Sequence, residues 1–337
     1  MLLFKDIGLL NKVYPEDIKN NSILLLMLVS VCTPTFNRRP FIPSMFKCFK
    51  HQDYTGPIEW IIIDDGTDKI EDLIATSGIP HIKYYKIDQK ISLGKKRNLM
   101  HKYAKGDIII YMDDDDYYPP QRISHAVEQL QRNPSILCAG STILYTYFKD
   151  IHKIVQFGPY GPNHATAATF AFRKELLSIT SYEENAPMSE EKHFLKNYTI
   201  PMVQLDPKKV ILVVSHSQNT FDKKTLLNGQ NQSTIRYTDL SVHQFIKDPE
   251  LYQFYTTGIH SELASYSAGD PSMKPDVLEH IKQKQIERSF VIQFGDKILK
   301  GPEIIQHLNH QQQYIKLLSD KISKLESKLN SLNGLHN

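Results

Sequence analysis

Four consecutive aspartates, residues 113–116, directly follow the apolar run IIIYM in this chain of 337 residues. Because a short apolar run of this kind predicts a buried strand, the four carboxylates are expected to crowd together where that strand ends. Like charges at such short range repel strongly unless a cation compensates them, so removing one of the four is expected to cost little stability. Carboxylate oxygens are also ligands that Mg²⁺ and Mn²⁺ prefer. We therefore expect a divalent-metal site here; a solvated acidic loop is the alternative.

The stretch around these aspartates alternates between apolar, strand-like runs and amphipathic, helix-like segments. Predicted strands lie at residues 28–33, 59–65, 81–87 and 107–113, and predicted helices at residues 39–52, 68–75, 93–104 and 119–132. Near-continuous Ile and Val runs are typical of parallel strands that are buried on both faces of a sheet. The sequence therefore predicts a doubly wound α/β domain, in which a mostly parallel sheet carries helices on both faces.

Polar residues follow three of the predicted strands. They form the segments TPTFNR (33–38), DDGT (64–67) and DDDD (113–116). In an open α/β sheet, ligands bind beyond the carboxyl ends of the strands. The three segments together predict a ligand site at that edge of the sheet.

Beyond residue 135 the pattern changes. Strand-like runs occupy residues 136–148, 151–157 and 165–176, a turn-rich segment occupies 158–164, and a helix is expected at about 189–197. Residues 235–300 are polar and predicted to be helical.

Composition excludes several classes of protein. The 40 basic and 37 acidic side chains leave a net charge of +3, too balanced for a nucleic-acid binder. The three cysteines, Cys32, Cys48 and Cys138, lie far apart, which argues against a disulfide scaffold or a cysteine-ligated zinc site. The longest apolar run, residues 23–32, has half of the roughly twenty residues that a membrane-spanning helix needs. We therefore expect a soluble, cytoplasmic protein.

Four segments resemble the GT-A fold glycosyltransferases of family 2 in their order and spacing: VSVCTPTFNR, EWIIIDDGT, SLGKKRN and DIIIYMDDDDYYPP. The resemblance implies a Rossmann-like GT-A fold, a UDP-sugar as donor, and Mn²⁺ or Mg²⁺ as cofactor. By the same resemblance, the residues expected to bind the donor are Thr33, Pro34, Thr35, Asp65, Gly94, Lys95, Arg97 and Asn98. The carboxylate of Asp65 suits the N–H donor of uracil, which favours UDP over other nucleotides.

The aspartates correspond to the D-x-D motif of the family, in which one member contacts the ribose and another binds the metal. Asp113-x-Asp115 matches the common form of the motif best, and Asp114-x-Asp116 is the alternative register. In the first register Asp113 contacts the donor and Asp115 is the main metal ligand, with Asp113 as a further candidate metal ligand. In the second register Asp114 contacts the donor. Asp116 is a metal ligand in the second register.

The segment SEEKHF, residues 189–194, resembles the acidic pair that lies beneath the acceptor in this family. Glu191 is therefore the expected catalytic base, and Glu190 is the reserve. Acids in the first turn of a helix also favour the helix dipole whatever the function, which is the alternative explanation.

His216 corresponds to an additional metal ligand of many metal-dependent members of this fold. The basic residues beyond it, Lys223 and Lys224, are expected to contact the diphosphate. A histidine that merely ends a strand is the alternative. His164 is a candidate contact to the acceptor.

The resemblance implies a hexosyltransferase that moves glucose or galactose from a UDP-sugar to a hydroxyl group. Frequent Lys, Ile, Asn and Tyr make the chain similar to glycosyltransferases of giant DNA viruses of the mimivirus type, which suggests galactosyl-hydroxylysine of a collagen-like protein as acceptor. Family 2 implies inversion of the anomeric centre, whereas that linkage in animals forms with retention, so both outcomes stay open. The competing interpretations are a sugar-nucleotide pyrophosphorylase and a non-catalytic scaffold.

Two apolar series with a spacing of seven lie within residues 304–332. One comprises Leu308, Ile315, Ile322 and Leu329, and the other, offset by three, comprises Leu318, Leu325 and Leu332. This pattern predicts a coiled coil and a parallel homodimer; a helix packed on its own domain is the alternative. The predicted organisation is an N-terminal extension (1–22), a GT-A domain (23–235), a helical region (236–300) and a coiled-coil helix (301–333).

Overall fold

The computed structural model describes residues 27–227, 232–294 and 297–333. The predicted N-terminal extension, residues 1–22, lies outside them. Contacts between residues divide the chain into two units, Met1–Lys274 and Pro275–Asn337. The domain boundaries drawn from the sequence stay predictions.

The first unit contains eleven described strands and nine described α-helices. The strands are β1 Val29–Thr35, β2 Ile58–Asp64, β3 Ile82–Lys86, β4 Ile108–Tyr111, β5 Cys138–Gly140, β6 Leu144–Phe148, β7 Lys153–Phe157, β8 Ala171–Arg173, β9 Met202–Gln204, β10 Leu212–Ser215 and β11 Ile235–Tyr237. The helices are α1 Ile42–Lys50, α2 Glu71–Thr76, α3 Leu93–Tyr103, α4 Arg122–Arg132, α5 Glu191–Phe194, α6 Lys224–Leu227, α7 Val242–Phe245, α8 Pro249–Gln253 and α9 Ile259–Ala264.

Seven strands form the main sheet in the order β3-β2-β1-β4-β8-β5-β9. Strands β1 to β4 run parallel to their neighbours in this group. Strand β8 runs antiparallel to both β4 and β5, and β9 pairs parallel with β5. The prediction of a mostly parallel sheet in an α/β domain is confirmed.

Side chains of the central strands alternate between two hydrophobic clusters. On β1, Val31 belongs to one cluster and Cys32 to the other; on β4, Ile110 and Tyr111 divide in the same way. Successive residues of a strand point to opposite faces, so the two clusters lie on opposite faces of the sheet. Helices α1 and α4 contribute to the first cluster and α3 to the second. The predicted helices on both faces are therefore present.

Trp60 locks the three central strands together just before they reach the carboxyl edge of the sheet. Its indole is fully buried and stacks on Phe49 with ring centroids 4.0 Å apart. Its Nε1 donates to Thr33 Oγ1 at 2.9 Å, and Thr33 Oγ1 donates to the carbonyl oxygen of Met112 at 2.6 Å. These bonds fix where the polar segments after β1 and β4 begin.

A second sheet has the order β10-β6-β7-β11. Helices α7 to α9 pack into the same core as this sheet through buried side chains that include Phe245, Leu251 and Ile259. A π-helical turn, Phe254–Gly258, joins α8 to α9.

The helix predicted at about residues 189–197 is wrong in extent. Only Glu191–Phe194 is helical, a single turn. Lys196, Asn197 and Tyr198 all have positive φ, between 49° and 62°, in the left-handed region. Three successive left-handed residues cannot continue a right-handed helix, so the helix ends before them.

The second unit contains α10 (Pro275–Ser289), the antiparallel strands β12 (Val291–Phe294) and β13 (Lys297–Lys300), and α11 (Gly301–Asn333). The prediction that residues 235–300 are helical is therefore wrong for three short strands, β11 to β13. Along α11, Leu308, Ile315 and Leu325 are 52%, 61% and 65% exposed. Each of these apolar side chains is more than half exposed in the described part of the chain, and the predicted coiled coil stays a prediction. None of the described helices is long and apolar enough to cross a membrane.

Candidate active site

The segments that follow β1, β2 and β4 contact one another at the carboxyl edge of the main sheet. The Lys96 ammonium, on α3, pairs with Asp65 after β2 and donates to the carbonyl oxygen of Thr35 at 3.0 Å. Arg38, three residues beyond β1, lies between two of the aspartates that follow β4. Lys96 and Arg38 stand inside the motifs SLGKKRN and TPTFNR, but neither was expected from the sequence to be a site residue.

The Arg38 guanidinium is buried and lies between two carboxylates of the acidic segment. Its Nε lies 3.6 Å from Asp114 Oδ1, and its Nη2 lies 3.6 Å from Asp115 Oδ2. Nη2 also donates to the carbonyl oxygen of Gln218 at 2.8 Å. Nη1, in contrast, is buried and has no hydrogen-bond partner among the described residues.

The four aspartates point toward different partners. Asp113 Oδ1 lies 3.7 Å from Arg97 Nη2, and Asp116 Oδ1 accepts a hydrogen bond from the backbone of Val214 at 2.8 Å. Asp116 is therefore tied to β10, whereas Asp113, Asp114 and Asp115 face the buried arginines.

The pKa values of these aspartates differ because their neighbours differ. Burial, and then the charge of Asp115, raises the pKa of Asp114 to about 7 and also raises the pKa of Asp116. Burial acts in the same direction on Asp115, but the hydrogen bond with His216 and the charge of Arg38 outweigh it and hold its pKa below the usual range. Asp115 is thus the carboxylate that stays ionised.

His216, directly after β10, lies against Asp115. Its Nε2 is 3.2 Å from Asp115 Oδ2 and 2.7 Å from Asn219 Nδ2, and its Nδ1 is 3.2 Å from the backbone nitrogen of Gln218. Burial lowers the pKa of His216 to about 4, which keeps the imidazole neutral at pH 7.

Asp115 and His216 together fit part of a divalent-metal site. Among the described residues, no group of three His, Cys, Asp or Glu side chains is arranged to hold a metal. A carboxylate oxygen and an imidazole nitrogen on one side suit an ion that takes its other ligands from phosphate and water.

The residues expected to bind the nucleoside occupy different depths. Thr33 is fully buried in the hydrogen bonds to Trp60 and Met112, and Pro34 and Thr35 lie beyond it toward the edge. Asp65 has one oxygen on Lys96, and its other oxygen accepts the backbone N–H of Ile91 at 2.8 Å.

The GKKRN segment begins α3 and touches residues 182–190. A Cβ added to Gly94 would collide with the carbonyl oxygen of Glu183, so this position needs glycine. Asn98 Nδ2 donates to the carbonyl oxygen of Tyr182, and its Oδ1 accepts the Tyr182 N–H, both at 2.9 Å. Lys95 is exposed. Gly94 and Asn98 therefore fasten the segment that carries Glu190 and Glu191.

Arg97 connects the acidic segment with the acidic pair. Its Nε donates to Glu190 Oε1 at 2.6 Å, its Nη2 is 3.7 Å from Asp113, and its guanidinium lies 4.3 Å from the centroid of the Tyr111 ring. Burial and the charge of Glu190 raise the pKa of the neighbouring Glu191 to about 7. Glu190 is thus held by an arginine, and Glu191 is the member that can exchange a proton near neutral pH.

The His164 ring lies between two tyrosine rings, stacked on Tyr198 and tilted by 47° against Tyr160. The ring centroids are 4.8 Å from Tyr198 and 4.7 Å from Tyr160. Nδ1 of His164 is buried without a hydrogen-bond partner among the described residues. Burial and the charge of Glu191 raise the pKa of Tyr198, which places this aromatic group beside the candidate base.

The two lysines predicted to contact the diphosphate, Lys223 and Lys224, lie near different partners. The charge of Lys223 acts on Asp113, Asp115 and Asp116, which places it near the acidic segment. Lys224 instead pairs with Asp150, and both side chains are more than half exposed.

Lys274 reaches the same site from the end of the first unit. It is 7% exposed, and its Nζ donates to Thr220 Oγ1 at 2.8 Å and lies 5.7 Å from the centroid of the Phe36 ring. Burial, and then the charge of Arg38, lowers its pKa to about 7. No sequence motif marks this lysine, because its partners lie 54 or more positions away.

Residues 30–178 match the family model named glycosyl transferase family 2. This stretch, a little under half of the chain, is therefore similar to a family 2 glycosyltransferase domain. The match includes Arg38, Lys96, Arg97 and the four aspartates, and it ends before Glu191, His216 and Lys274.

Curated relatives match between 100 and 121 residues of the chain. The putative colanic acid biosynthesis glycosyl transferase WcaA of Escherichia coli is 31% identical over 29% of this chain and 36% of its own length. An uncharacterized glycosyltransferase of Haemophilus influenzae is 23% identical over 32% of this chain and 36% of its own. TarS of Staphylococcus aureus, a poly(ribitol-phosphate) beta-N-acetylglucosaminyltransferase, is 26% identical over 33% of this chain and 20% of its own. The chain thus spans about a third or less of these relatives.

Solved structures also resemble the chain. The mannosyltransferase PcManGT of Pyrobaculum calidifontis, in complex with GDP-Man and Mn²⁺, is 13% identical, covers 78% of this chain and 88% of its own, and has a TM-score of 0.47. Residues 1–349 of S. aureus TarS in complex with UDP-GlcNAc are 18% identical, cover 78% of this chain and 74% of that one, and give a TM-score of 0.44.

Proposed function

We propose that this chain is a metal-dependent glycosyltransferase that moves a hexose from a UDP-sugar to a hydroxyl acceptor. The observation that carries the proposal is the position of Arg97, which contacts Asp113 on the donor side and Glu190 on the acceptor side. One buried guanidinium thus links the two halves that a transfer reaction must bring together.

On the donor side, Asp115 and His216 would hold a divalent ion, Mn²⁺ or Mg²⁺. When bound, such an ion neutralises the charge that develops on a departing diphosphate. Asp115 is suited to this role because its carboxylate stays ionised. Asp65 and Thr35 would hold the nucleoside at the end of β1 and β2, with Lys96 orienting both.

On the acceptor side, Glu191 would take the proton of the attacking hydroxyl. A base works best when its pKa lies near the working pH, and the pKa of Glu191 is about 7. The stacked rings of His164 and Tyr198 offer an apolar face beside it, of the kind on which a sugar ring packs. Direct attack by the hydroxyl would invert the anomeric centre.

The experiment is a panel of UDP-glucose, UDP-galactose and UDP-N-acetylglucosamine with Mn²⁺, scored by UDP release. Each donor is tested with and without a collagen-type peptide that carries galactosyl-hydroxylysine, the acceptor we propose. Glucose or galactose transfer to the peptide, lost on chelation with EDTA, is the expected result. NMR of the product gives the anomeric outcome.

Each other result contradicts a stated part of the proposal. Transfer to simple sugars alone removes the collagen-type acceptor. Conversion of a UDP-sugar and added pyrophosphate into UTP and the sugar 1-phosphate, with no UDP release, indicates a pyrophosphorylase. Absence of turnover with every nucleotide sugar, in a protein that binds none of them, leaves the scaffold interpretation.

A further inference from the structure

The segment Tyr266 to Lys274 is anchored over the donor side of the site by residues from three separate loops. Tyr266 Oη donates to Asp68 Oδ2 at 2.8 Å, and Asn37 Nδ2 donates to the carbonyl oxygen of Ala268 at 2.7 Å. The side chain of Gln218 donates to the carbonyl oxygen of Tyr266 at 2.5 Å. These bonds fix the path of the chain that delivers Lys274 to the strand ends.

Lys274 differs from the other buried cations of this region in how its charge is compensated. Lys96 has the Asp65 carboxylate, and Arg38 has Asp114 and Asp115 on two sides. Lys274 donates to the neutral hydroxyl of Thr220 and forms no ion pair within 4.0 Å among the described residues, so the charges of Asp114 and Asp115 act on it only from farther away. A buried ammonium without a carboxylate contact is costly to the folded protein.

An anion bound near Lys274 would offset the cost of burying its charge. Arg38 Nη1, in the same cluster, is a buried donor that no described residue satisfies. The Lys274 ammonium, which has three N–H donors and gives one to Thr220, and the unpaired Arg38 Nη1 lie next to the carboxylates that would hold the metal. Together they match the charge and the oxygen acceptors of a diphosphate. Base or ribose groups would not offset either charge.

We propose that Lys274 binds the diphosphate of the nucleotide donor directly, and that this contact persists when no metal is bound. The inference rests on the proposed use of a nucleotide sugar. It assigns a donor-binding residue outside the family 2 match, which ends at residue 178.

The test measures binding by calorimetry in EDTA, with UDP, uridine and inorganic pyrophosphate as probes. Lys274→Met is compared with the wild type, and Lys247→Met, which removes an exposed lysine, is the matched control. We expect Lys274→Met to weaken UDP and pyrophosphate binding at least about tenfold, equivalent to about 1.4 kcal/mol. Uridine binding and the control should be unchanged, and the unfolding temperature of Lys274→Met should stay level or rise.

A purely structural lysine gives the opposite pattern. The unfolding temperature then falls, and UDP binding per folded molecule stays at the wild-type value, which overturns the proposal. Equal weakening of UDP and uridine also overturns it, because the contact would then not be to phosphate. If Lys274→Met does not fold, Lys274→Gln, which keeps a polar end without charge, is judged by the same criteria.

The outcome separates this inference from the proposed function. Pyrophosphate binding that depends on Lys274, with no turnover of any UDP-sugar, supports the residue and refutes the reaction. If the wild type turns over a UDP-sugar and Lys274→Met binds pyrophosphate as the wild type does, the reaction is supported and the role of Lys274 is refuted.

Discussion

At the scale of single residues, the four aspartates are not equivalent, and this changes what their removal should do. From the sequence, loss of any one was expected to relieve repulsion. In the structure, the negative charge of Asp115 is stabilised by His216 and Arg38, whereas that of Asp114 is destabilised by burial and by Asp115.

We predict that Asp115→Asn destabilises the protein and Asp114→Asn stabilises it at pH 8. Asp115→Asn leaves buried Arg38 with less compensation, at a cost of about 1–3 kcal/mol in the free energy of unfolding. Asp114 has a native pKa of about 7 against an ordinary value of 3.8. The native state therefore holds more protons between these values, and its stability falls as the pH rises through them. Because asparagine carries no such charge, the stabilisation should vanish near pH 4.

Urea unfolding of both variants at pH 4 and pH 8 checks this prediction. Equal effects of the two substitutions at pH 8 would contradict the assignment of opposite roles. Metal-dependent UDP release should also be lost in Asp115→Asn.

We predict that Glu191→Gln lowers turnover by about 10²- to 10⁴-fold and leaves UDP affinity unchanged, since a base acts only in the chemical step. In the wild type, the rate should rise with pH through about 7 as Glu191 loses its proton. Steady-state kinetics and a pH profile test both points. A similar loss of UDP affinity would place Glu191 in the donor pocket instead.

At the scale of elements, the single turn α5 depends on its attachment to α3. Gly94 and Asn98 fix residues 182–186 onto the start of α3, and the acidic pair follows a few residues later. The chemistry of the acceptor side is therefore held by a backbone contact that only glycine allows.

We predict that Gly94→Ala reduces both stability and turnover. The new Cβ must push the Glu183 carbonyl away, which moves Glu191 relative to the donor and costs on the order of 1–3 kcal/mol of unfolding free energy. Gly161→Ala is the control, because a Cβ there meets nothing within 4 Å. Thermal unfolding and transfer rates are measured for both. An unaffected Gly94→Ala enzyme would show that the 182–186 segment does not position the base.

At the scale of the whole molecule, α11 presents apolar side chains that its own unit does not cover. Leu318 and Ile322 are 41% and 55% exposed, alongside Leu308, Ile315 and Leu325. A monomeric protein rarely leaves such a row uncovered.

We predict that the full chain is a homodimer joined through α11, and that a chain ending at Lys300 is a monomer. Burying the apolar row between two helices supplies the stabilisation. Light scattering at micromolar concentration measures both masses. Ile315→Lys, in the middle of the row, should separate the dimer, and Lys316→Glu, on an adjacent exposed position, should not. A monomeric full chain, or a dimeric truncated one, refutes the prediction.

The sequence by itself determined the α/β sheet, the helices on its two faces and the polar segments at its carboxyl edge. Strand and helix periodicities are local, and runs such as IIIYM followed by DDDD carry them within a few residues. The error in the helix predicted at 189–197 was also local. Left-handed residues end that helix, and the residue pattern did not predict their positive φ values.

Only the tertiary structure decided which side chains meet at that edge. Arg38 with Asp115, Arg97 with Glu190, and Lys274 with Thr220 join positions 54 to 93 residues apart. Such pairs determine which carboxylate stays ionised and which becomes a base, because burial and neighbouring charge set a pKa, and neither is a property of adjacent letters.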